Sequence, residues 1–261
     1  MNFRSQAQRV VLCFAAALSF QAAHANPQTA ATQYKKVAIT SLIGDTITVD
    51  VYRKRVGTMI DVNDQEVLPN KDTVFDEAAM KVAAAALGKA LPATSLATLA
   101  VPEPGSDLDP AQFLVDGRIS PSHRMVSALR DAGFTHLLVI SKHRGPARLR
   151  LAEGTIGSGY LRGLGFYVDS TFKTKRLDTL ETGSGFIAPY VYIRLALVDL
   201  ATLQQVRERT ITEGFVRSAA RNEEGFDAWG AMKAEEKVSA LQRLIRSNIE
   251  EAVPLLLDGV R

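Results

Sequence analysis

The chain has 261 residues, of which 46% are hydrophobic and 23% charged, and its formal net charge is +3. This composition is that of an ordinary globular protein, and it excludes a disordered, collagen-like or coiled-coil chain. A chain of this length buries enough surface to fold without a disulfide or a structural metal ion.

The first residues have the three parts of a secretory signal peptide. Arg4 and Arg9 stand in a polar start without acidic residues, an apolar run covers residues 10–20, and a small-x-small sequence ends at Ala25. The apolar run is too short to span a bilayer. We therefore expect cleavage between Ala25 and Asn26 and a periplasmic location.

Removal of the signal peptide changes the charge and the cysteine content. Residues 1–25 hold two arginines, no acidic residue and the only cysteine, Cys13, so the mature chain has a formal charge of +1. Thiol chemistry and cysteine-ligated metal sites are thereby excluded, and bulky Leu12 before Cys13 argues against a lipid anchor. Because the mature charge is close to zero, we expect no nucleic-acid partner. No later segment is apolar for long enough to cross a membrane.

Strand and helix patterns alternate through the first half of the mature chain. Residues 26–34 are predicted to be a flexible N-terminus, and residues 36–42 and 46–52 flank Gly44-Asp45 as in a β-hairpin. The predictions that follow are a strand around 58–62, a loop over 63–71, a helix from Phe75 to Leu91, a strand over 96–101, a helix ending near Gly133, and a strand over 135–141 buried on both faces.

The second half favours antiparallel strands and one long helix. Glycines punctuate residues 154–165, and residues 173–185 are polar and predicted to be a loop. Alternating patterns over 190–198 and 204–212 predict a long hairpin, and residues 234–257 predict an amphipathic helix with an apolar stripe that includes Val238. No repeat or linker interrupts residues 35–261, which predicts a single domain. The fold class is α+β with an α/β start, a mixed sheet and about three helices.

No catalytic set stands out. The sequence Gly44-Asp45-Thr46 resembles the nucleophile block of SGNH-type esterases, but threonine replaces serine and no histidine follows His143. A nucleophile without a base in reach stays inactive. The three mature histidines lack the spacing of metal ligands. We therefore predict no catalytic residues, no metal and no cofactor.

A basic set follows the buried strand and is the candidate binding site. It comprises Lys142, His143, Arg144 and Arg148, with Arg162 of the glycine stretch as a possible second contact. The end of a strand is where α/β sheets often bind ligands, and arginines suit carboxylate or phosphate groups. The alternative interpretation is a solvated hairpin face.

The order of elements over residues 35–257 resembles that of three families of bacterial envelope modules. These are the curli-secretion-channel-like, penicillin-binding-protein-activator and TolB N-terminal families, and the resemblance is carried by residues 135–141 as central strand and 190–212 as hairpin. The hairpin turn of those families often has the form Asp-x-x-Thr-Gly, whereas Leu203 takes the place of glycine here. The chain is also similar to uncharacterised exported proteobacterial proteins, which implies no assigned activity.

Three functions remain open from the sequence. The first is a non-enzymatic periplasmic protein that binds another envelope component, whether protein, cell wall or anionic lipid. The second is an exported hydrolase with an unrecognised site around Asp45, Lys142, His143 and Arg144. The third is an assembly subunit that associates with itself through strand edges.

The export signal gives a direct prediction. Because the signal peptidase cleaves after a small residue, protein purified from a periplasmic extract should begin at Asn26. Intact-mass measurement checks this, and retention of residues 1–25 or a lipid adduct on Cys13 would contradict it.

Overall fold

A computed structural model describes residues 34–54, 63–100, 113–120, 124–175, 182–218 and 228–258. In these ranges one ten-stranded mixed sheet is flanked by three helices, which confirms the α+β class. The strands are β1 Lys36–Leu42, β2 Thr46–Val51, β3 Asp64–Pro69, β4 Ser95–Thr98, β5 His136–Lys142, β6 Arg144–Pro146, β7 Leu149–Arg150, β8 Thr155–Ile156, β9 Tyr160–Lys175, β10 Thr182–Asp199, β11 Gln204–Gly214 and β12 Arg217–Ser218. The helices are α1 Val74–Ala90, α2 Arg124–Asp131 and α3 Ala234–Leu257.

The long strand β10 joins two halves of the sheet. Along one edge it pairs first with β9, up to Tyr192, and then with β5, from Ile193 onward, in both cases antiparallel. The strands on the far side of β5 and β9 divide in the same way. β1 runs parallel to β5, and β2 runs parallel to β9. The other edge of β10 pairs with β11 and β12.

The hairpin predicted over residues 36–52 is wrong. Strands β1 and β2 do not pair; each pairs with a different neighbour, and the chain passes from one to the other through a bend at Ile43, Gly44 and Asp45. The carboxylate of Asp76, in the first turn of α1, accepts hydrogen bonds from the backbone N–H groups of Ile43 (2.9 Å) and Gly44 (3.0 Å). These bonds stabilise the bend. At Gly44-Asp45 the chain therefore changes its partner strand and does not reverse direction.

Parts of two predicted loops are strands, and residues 176–181 of the second lie outside the described residues. The antiparallel partner of β2 is β3, within the stretch 63–71 that was predicted to be a loop, while the strand predicted around 58–62 lies outside the described residues. The polar stretch 173–185 extends β9 to Lys175 and starts β10 at Thr182. Polar composition misleads at both places because strands at the edge or end of a sheet carry polar side chains on their exposed faces.

The other long elements confirm the predicted pattern. β5 is buried on both faces, and β10 with β11 forms the long hairpin. At its turn the Asp199 carboxylate accepts the N–H groups of Ala201 and Thr202, and Leu203 adopts a φ of +60°, the conformation that glycine favours. Helix α3 begins and ends as predicted, but Val238 of its stripe is 39% exposed.

The sheet is covered differently on its two faces. Helices α1 and α3 pack against one face and form the largest cluster of buried apolar side chains. On the opposite face, α2 and residues 113–119 cover the half that contains β1 and β5. The half that contains β9 is covered by residues 143–162, which follow β5 and include the first three residues of β9, and we call this segment the insert.

Candidate functional site

The insert carries four of the five residues that the sequence predicts for binding. It leaves the sheet after Lys142, forms β6, β7 and β8, and returns as the first residues of β9. β6 pairs antiparallel with the start of β9, so that Arg144 lies directly opposite Arg162 and Pro146 opposite Tyr160. The insert therefore begins and ends at the line where β10 changes its partner from β9 to β5.

Tyrosine hydroxyls of the sheet hold the insert in place. The Tyr192 hydroxyl donates to the carbonyl oxygen of Pro146 (3.0 Å) and accepts the N–H of Arg148 (2.9 Å), while the Tyr167 hydroxyl accepts the N–H of Ser158 (3.3 Å). Burial raises the pKa of both tyrosine hydroxyls above 10, so both remain protonated at neutral pH and available as donors. Asn63 adds a side-chain bond to the carbonyl oxygen of Ser158 (2.8 Å).

A third tyrosine secures the sheet beneath the insert. The Tyr190 hydroxyl donates to the fully buried Asp50 carboxylate at 2.6 Å, and the Gln65 amide donates to the second oxygen of the same group at 2.6 Å. Burial raises the pKa of Asp50 and, together with the Asp50 charge, that of Tyr190. Gly165 is required here because a Cβ would lie 2.4 Å from the Tyr190 hydroxyl oxygen.

Lys142 is engaged within the fold. Its ammonium group lies 2.5 Å from the Asp45 carboxylate and contacts the Thr46 hydroxyl, and its side chain is only 11% exposed. The side chain passes over Gly163, where a Cβ would lie 2.8 Å from Lys142 Cδ, and Gly163 has a φ of +68°. Lys142 therefore ties the end of β5 to the bend between β1 and β2 and presents no free charge at the surface.

Three predicted arginines of the insert present their charge to solvent. Arg144, Arg148 and Arg162 are exposed, and the Arg144 guanidinium lies over the Tyr160 ring, 4.1 Å from its centroid. Within the described ranges, none of the three forms an ion pair with a carboxylate, whereas Arg150 nearby pairs with Glu213 at 3.0 Å. We call Arg144, Arg148, Tyr160 and Arg162 the arginine patch.

His143 belongs to a different part of the surface. Its N–H donates to the Tyr192 carbonyl oxygen (2.9 Å), and its own carbonyl oxygen accepts the N–H of Gly163 (3.2 Å). Burial, with the positive charge of Arg194, lowers the pKa of the imidazole, which is therefore neutral at pH 7. The alternation over residues 190–198 places Tyr192 and Arg194 on one face of a strand, but neither was predicted as a binding residue.

The remaining predictions about sites concern metals, membranes and export. In the part of the chain that the structure describes, no group of three His, Asp or Glu side chains is placed to hold a metal ion. No helix in the same ranges is both long and apolar enough to cross a bilayer. Ala25 and Asn26, the predicted cleavage site, lie outside the described residues.

Comparison with known proteins gives distant structural likeness only. No family model and no curated protein matches the sequence. The chain is similar to a DUF330 protein of Xanthomonas campestris, at 12% identity and a TM-score of 0.35, with 87% of this chain and 86% of that chain covered.

Two further solved structures show likeness at a similar level. A Helicobacter pylori protein described as a neuraminyllactose-binding hemagglutinin homolog has 7% identity and a TM-score of 0.40, with 87% and 90% covered. A PelC dodecamer from Paraburkholderia phytofirmans has 11% identity and a TM-score of 0.28, with 87% and 88% covered. Likeness at this level transfers no activity, partner or location, and it does not confirm the three families named from the layout.

The tyrosine bonds predict how the insert responds to mutation. Tyr192→Phe removes the acceptor of the Arg148 N–H, so hydrogen exchange at residues 144–150 should accelerate while the free energy of unfolding falls by only about 0.5–1.5 kcal/mol. Tyr160→Phe is the matched control, because that ring is exposed and its hydroxyl has no place in this network. Unchanged exchange at Arg148 in Tyr192→Phe would contradict the assignment.

Proposed function

We propose that the protein is a non-enzymatic periplasmic protein that binds an anionic component of the cell envelope through the arginine patch. The observation that carries the proposal is the direct pairing of Arg144 and Arg162 across β6 and β9. Like charges directly opposite each other destabilise a pair of strands, and an anion bound between them removes that repulsion. The periplasmic location rests on the predicted signal peptide.

The chemistry of the patch suits phosphate or carboxylate groups. A guanidinium group donates two parallel hydrogen bonds to such a group, and its planar shape also stacks on aromatic rings. The Tyr160 ring under Arg144 restricts that side chain before any ligand arrives, which lowers the entropy lost on binding. The insert itself is fixed to the sheet by the tyrosine bonds, so the arginines project from a defined support.

The carboxylates of the two nearby ion pairs do not form ion pairs with the patch. The nearby ion pairs, Lys142 with Asp45 and Arg150 with Glu213, use their carboxylates on other cations. The three free guanidinium groups therefore form a local concentration of positive charge on a chain whose mature net charge is small. Attraction of this kind acts over short range and weakens as salt rises.

The two other hypotheses, an exported hydrolase and a self-associating assembly subunit, are each tested by a different experiment. Of the residues proposed for a hydrolase, Asp45 and Lys142 are in contact, but Arg144 lies over Tyr160 on the exposed side of the insert. An esterase and phosphatase screen of the mature protein tests that hypothesis. Light scattering after size exclusion tests self-association.

Binding should depend on where the arginines lie and not only on total charge. We expect Arg144→Gln/Arg162→Gln to bind anionic vesicles or purified cell wall at least about tenfold more weakly than the wild type, because each lost charge-assisted bond contributes about 1.5–3 kcal/mol. The control is Arg209→Gln/Arg243→Gln, which removes the same charge from exposed positions outside the insert. Sedimentation with phosphatidylglycerol vesicles, neutral vesicles and cell wall separates lipid from wall binding.

Two outcomes would contradict the proposal. One is that the control pair weakens binding as much as the patch pair, which would reduce the effect to net charge. The other is that the wild type binds none of the anionic partners at low salt.

A further inference from the structure

A row of polar residues interrupts the apolar sheet face opposite α1 and α3. Ser141 of β5 lies directly opposite Arg194 of β10, and Arg194 lies directly opposite Thr210 of β11. Directly opposite residues of antiparallel strands point to the same face. On β10 the neighbours of Arg194 on this face are Tyr192, under the insert, and Ala196, in the cluster covered by α2. The row therefore lies between the two covers of this face.

Two buried polar atoms of this row have no hydrogen-bond partner among the described residues. They are the Ser141 hydroxyl oxygen and Arg194 Nε, and Ser141 is only 4% exposed. Buried polar groups of folded proteins are nearly always paired, so an unpaired hydroxyl beside an unpaired guanidinium N–H calls for a partner. Arg194 Nε can only donate and the Ser141 hydroxyl can donate or accept, so one acceptor group would satisfy both.

The nearest carboxylate does not supply that acceptor. Glu208 Oε2 lies 3.9 Å from Arg194 Nη1, beyond hydrogen-bonding distance, and the same oxygen accepts a bond from the Gln205 amide at 2.7 Å. The Arg194 side chain remains 28% exposed, so its terminal nitrogens are accessible from solvent while Nε is not. The Arg194 guanidinium thus has N–H groups without a hydrogen-bond partner, and part of it is accessible to solvent.

His143 adds a further donor beside the row. Its imidazole feels the charges of both Arg194 and Glu208, and its Nε2 lies against Gly145, next to Tyr192 and Thr212. No described residue forms a hydrogen bond with the imidazole. A neutral imidazole carries one N–H, which can donate to an oxyanion without adding charge.

We propose that Ser141, His143 and Arg194 form a second binding site, separate from the arginine patch, for a small ligand that carries a carboxylate or phosphate group. Arg194 would hold the oxyanion, and Ser141 and His143 would donate to its remaining oxygens. The buried Ser141 hydroxyl and the partly exposed Arg194 guanidinium both have donors without a partner, and a ligand with several acceptor oxygens can bind both. Thr210, directly opposite Arg194, ends the row on the side of β11.

Amide chemical shifts in a titration with inorganic phosphate, and separately with acetate, test this site. Ionic strength is held constant with sodium chloride, so that screening does not change during the titration. In the wild type we expect saturable shifts centred on Ser141, Arg194 and Thr210. In Arg194→Gln the affinity should fall by at least about tenfold, because a charge-assisted pair is lost.

Matched variants separate the site from its alternatives. Arg209→Gln removes a charge from β11 at a position opposite Leu195, on the other face of the sheet, and should leave the titration unchanged. Arg144→Gln/Arg162→Gln should also leave it unchanged, so this site and the arginine patch can fail independently. If Arg194→Gln does not fold, Arg194→Lys keeps the charge but loses the paired donors, and it should bind measurably more weakly.

The proposal is overturned by either of two results. One is the absence of saturable shifts along the row with both probes up to their solubility limits. The other is an equal response of the wild type and the Arg194 variants.

Discussion

The Asp76 carboxylate fixes the point at which the sheet divides into two halves. It accepts the N–H groups of Ile43 and Gly44, so the chain leaves β1 and enters β2 without reversing direction. As a result β1 can follow β5 while β2 follows β9, and one long strand, β10, spans both. Gly44 permits this contact, because a Cβ there would lie 2.4 Å from Asp76 Oδ2.

This contact fixes geometry at a cost in stability. Burial raises the pKa of the Asp76 carboxyl more than its hydrogen bonds lower it, so folding shifts this group towards the protonated form relative to the unfolded chain. The contribution of Asp76 to stability is therefore fully present below the ordinary pKa of the group and declines as the pH rises through the raised value.

The positions of the two proposed sites follow from the same division. Lys142 ends β5 and pairs with Asp45 of the bend, and the insert leaves the sheet directly after it and returns at Gly163, over which the Lys142 side chain packs. The arginine patch lies on the exposed side of that insert, and the row of Ser141 and Arg194 lies between the insert and α2. Both proposed sites are thus consequences of one break in the strand order.

Sequence patterns predicted the long elements and missed how they are joined. The periodicity of α3 and the alternation of β10 and β11 extend over many residues, so tertiary context could not override them. Gly44-Asp45 was misinterpreted because the partner that decides between a bend and a hairpin, Asp76, is 32 residues away from Gly44. For the candidate site, the exposed arginines of the insert could be predicted from the sequence. The ion pair between Lys142 and Asp45 could not, because it depends on the register of strands that are distant in the sequence.

Exchanging two glycines for alanine tests the central role of the bend most directly. In Gly44→Ala the added methyl overlaps the Asp76 carboxylate, and we expect the free energy of unfolding to fall by about 1–3 kcal/mol, as in other overpacked sites. In Gly88→Ala, in the last turn of α1, the added methyl meets only Leu96 at 3.7 Å, and we expect no loss of stability and a gain of at most about 1 kcal/mol. Denaturant unfolding of the two variants measures both changes. A Gly44→Ala variant as stable as the wild type would contradict the account.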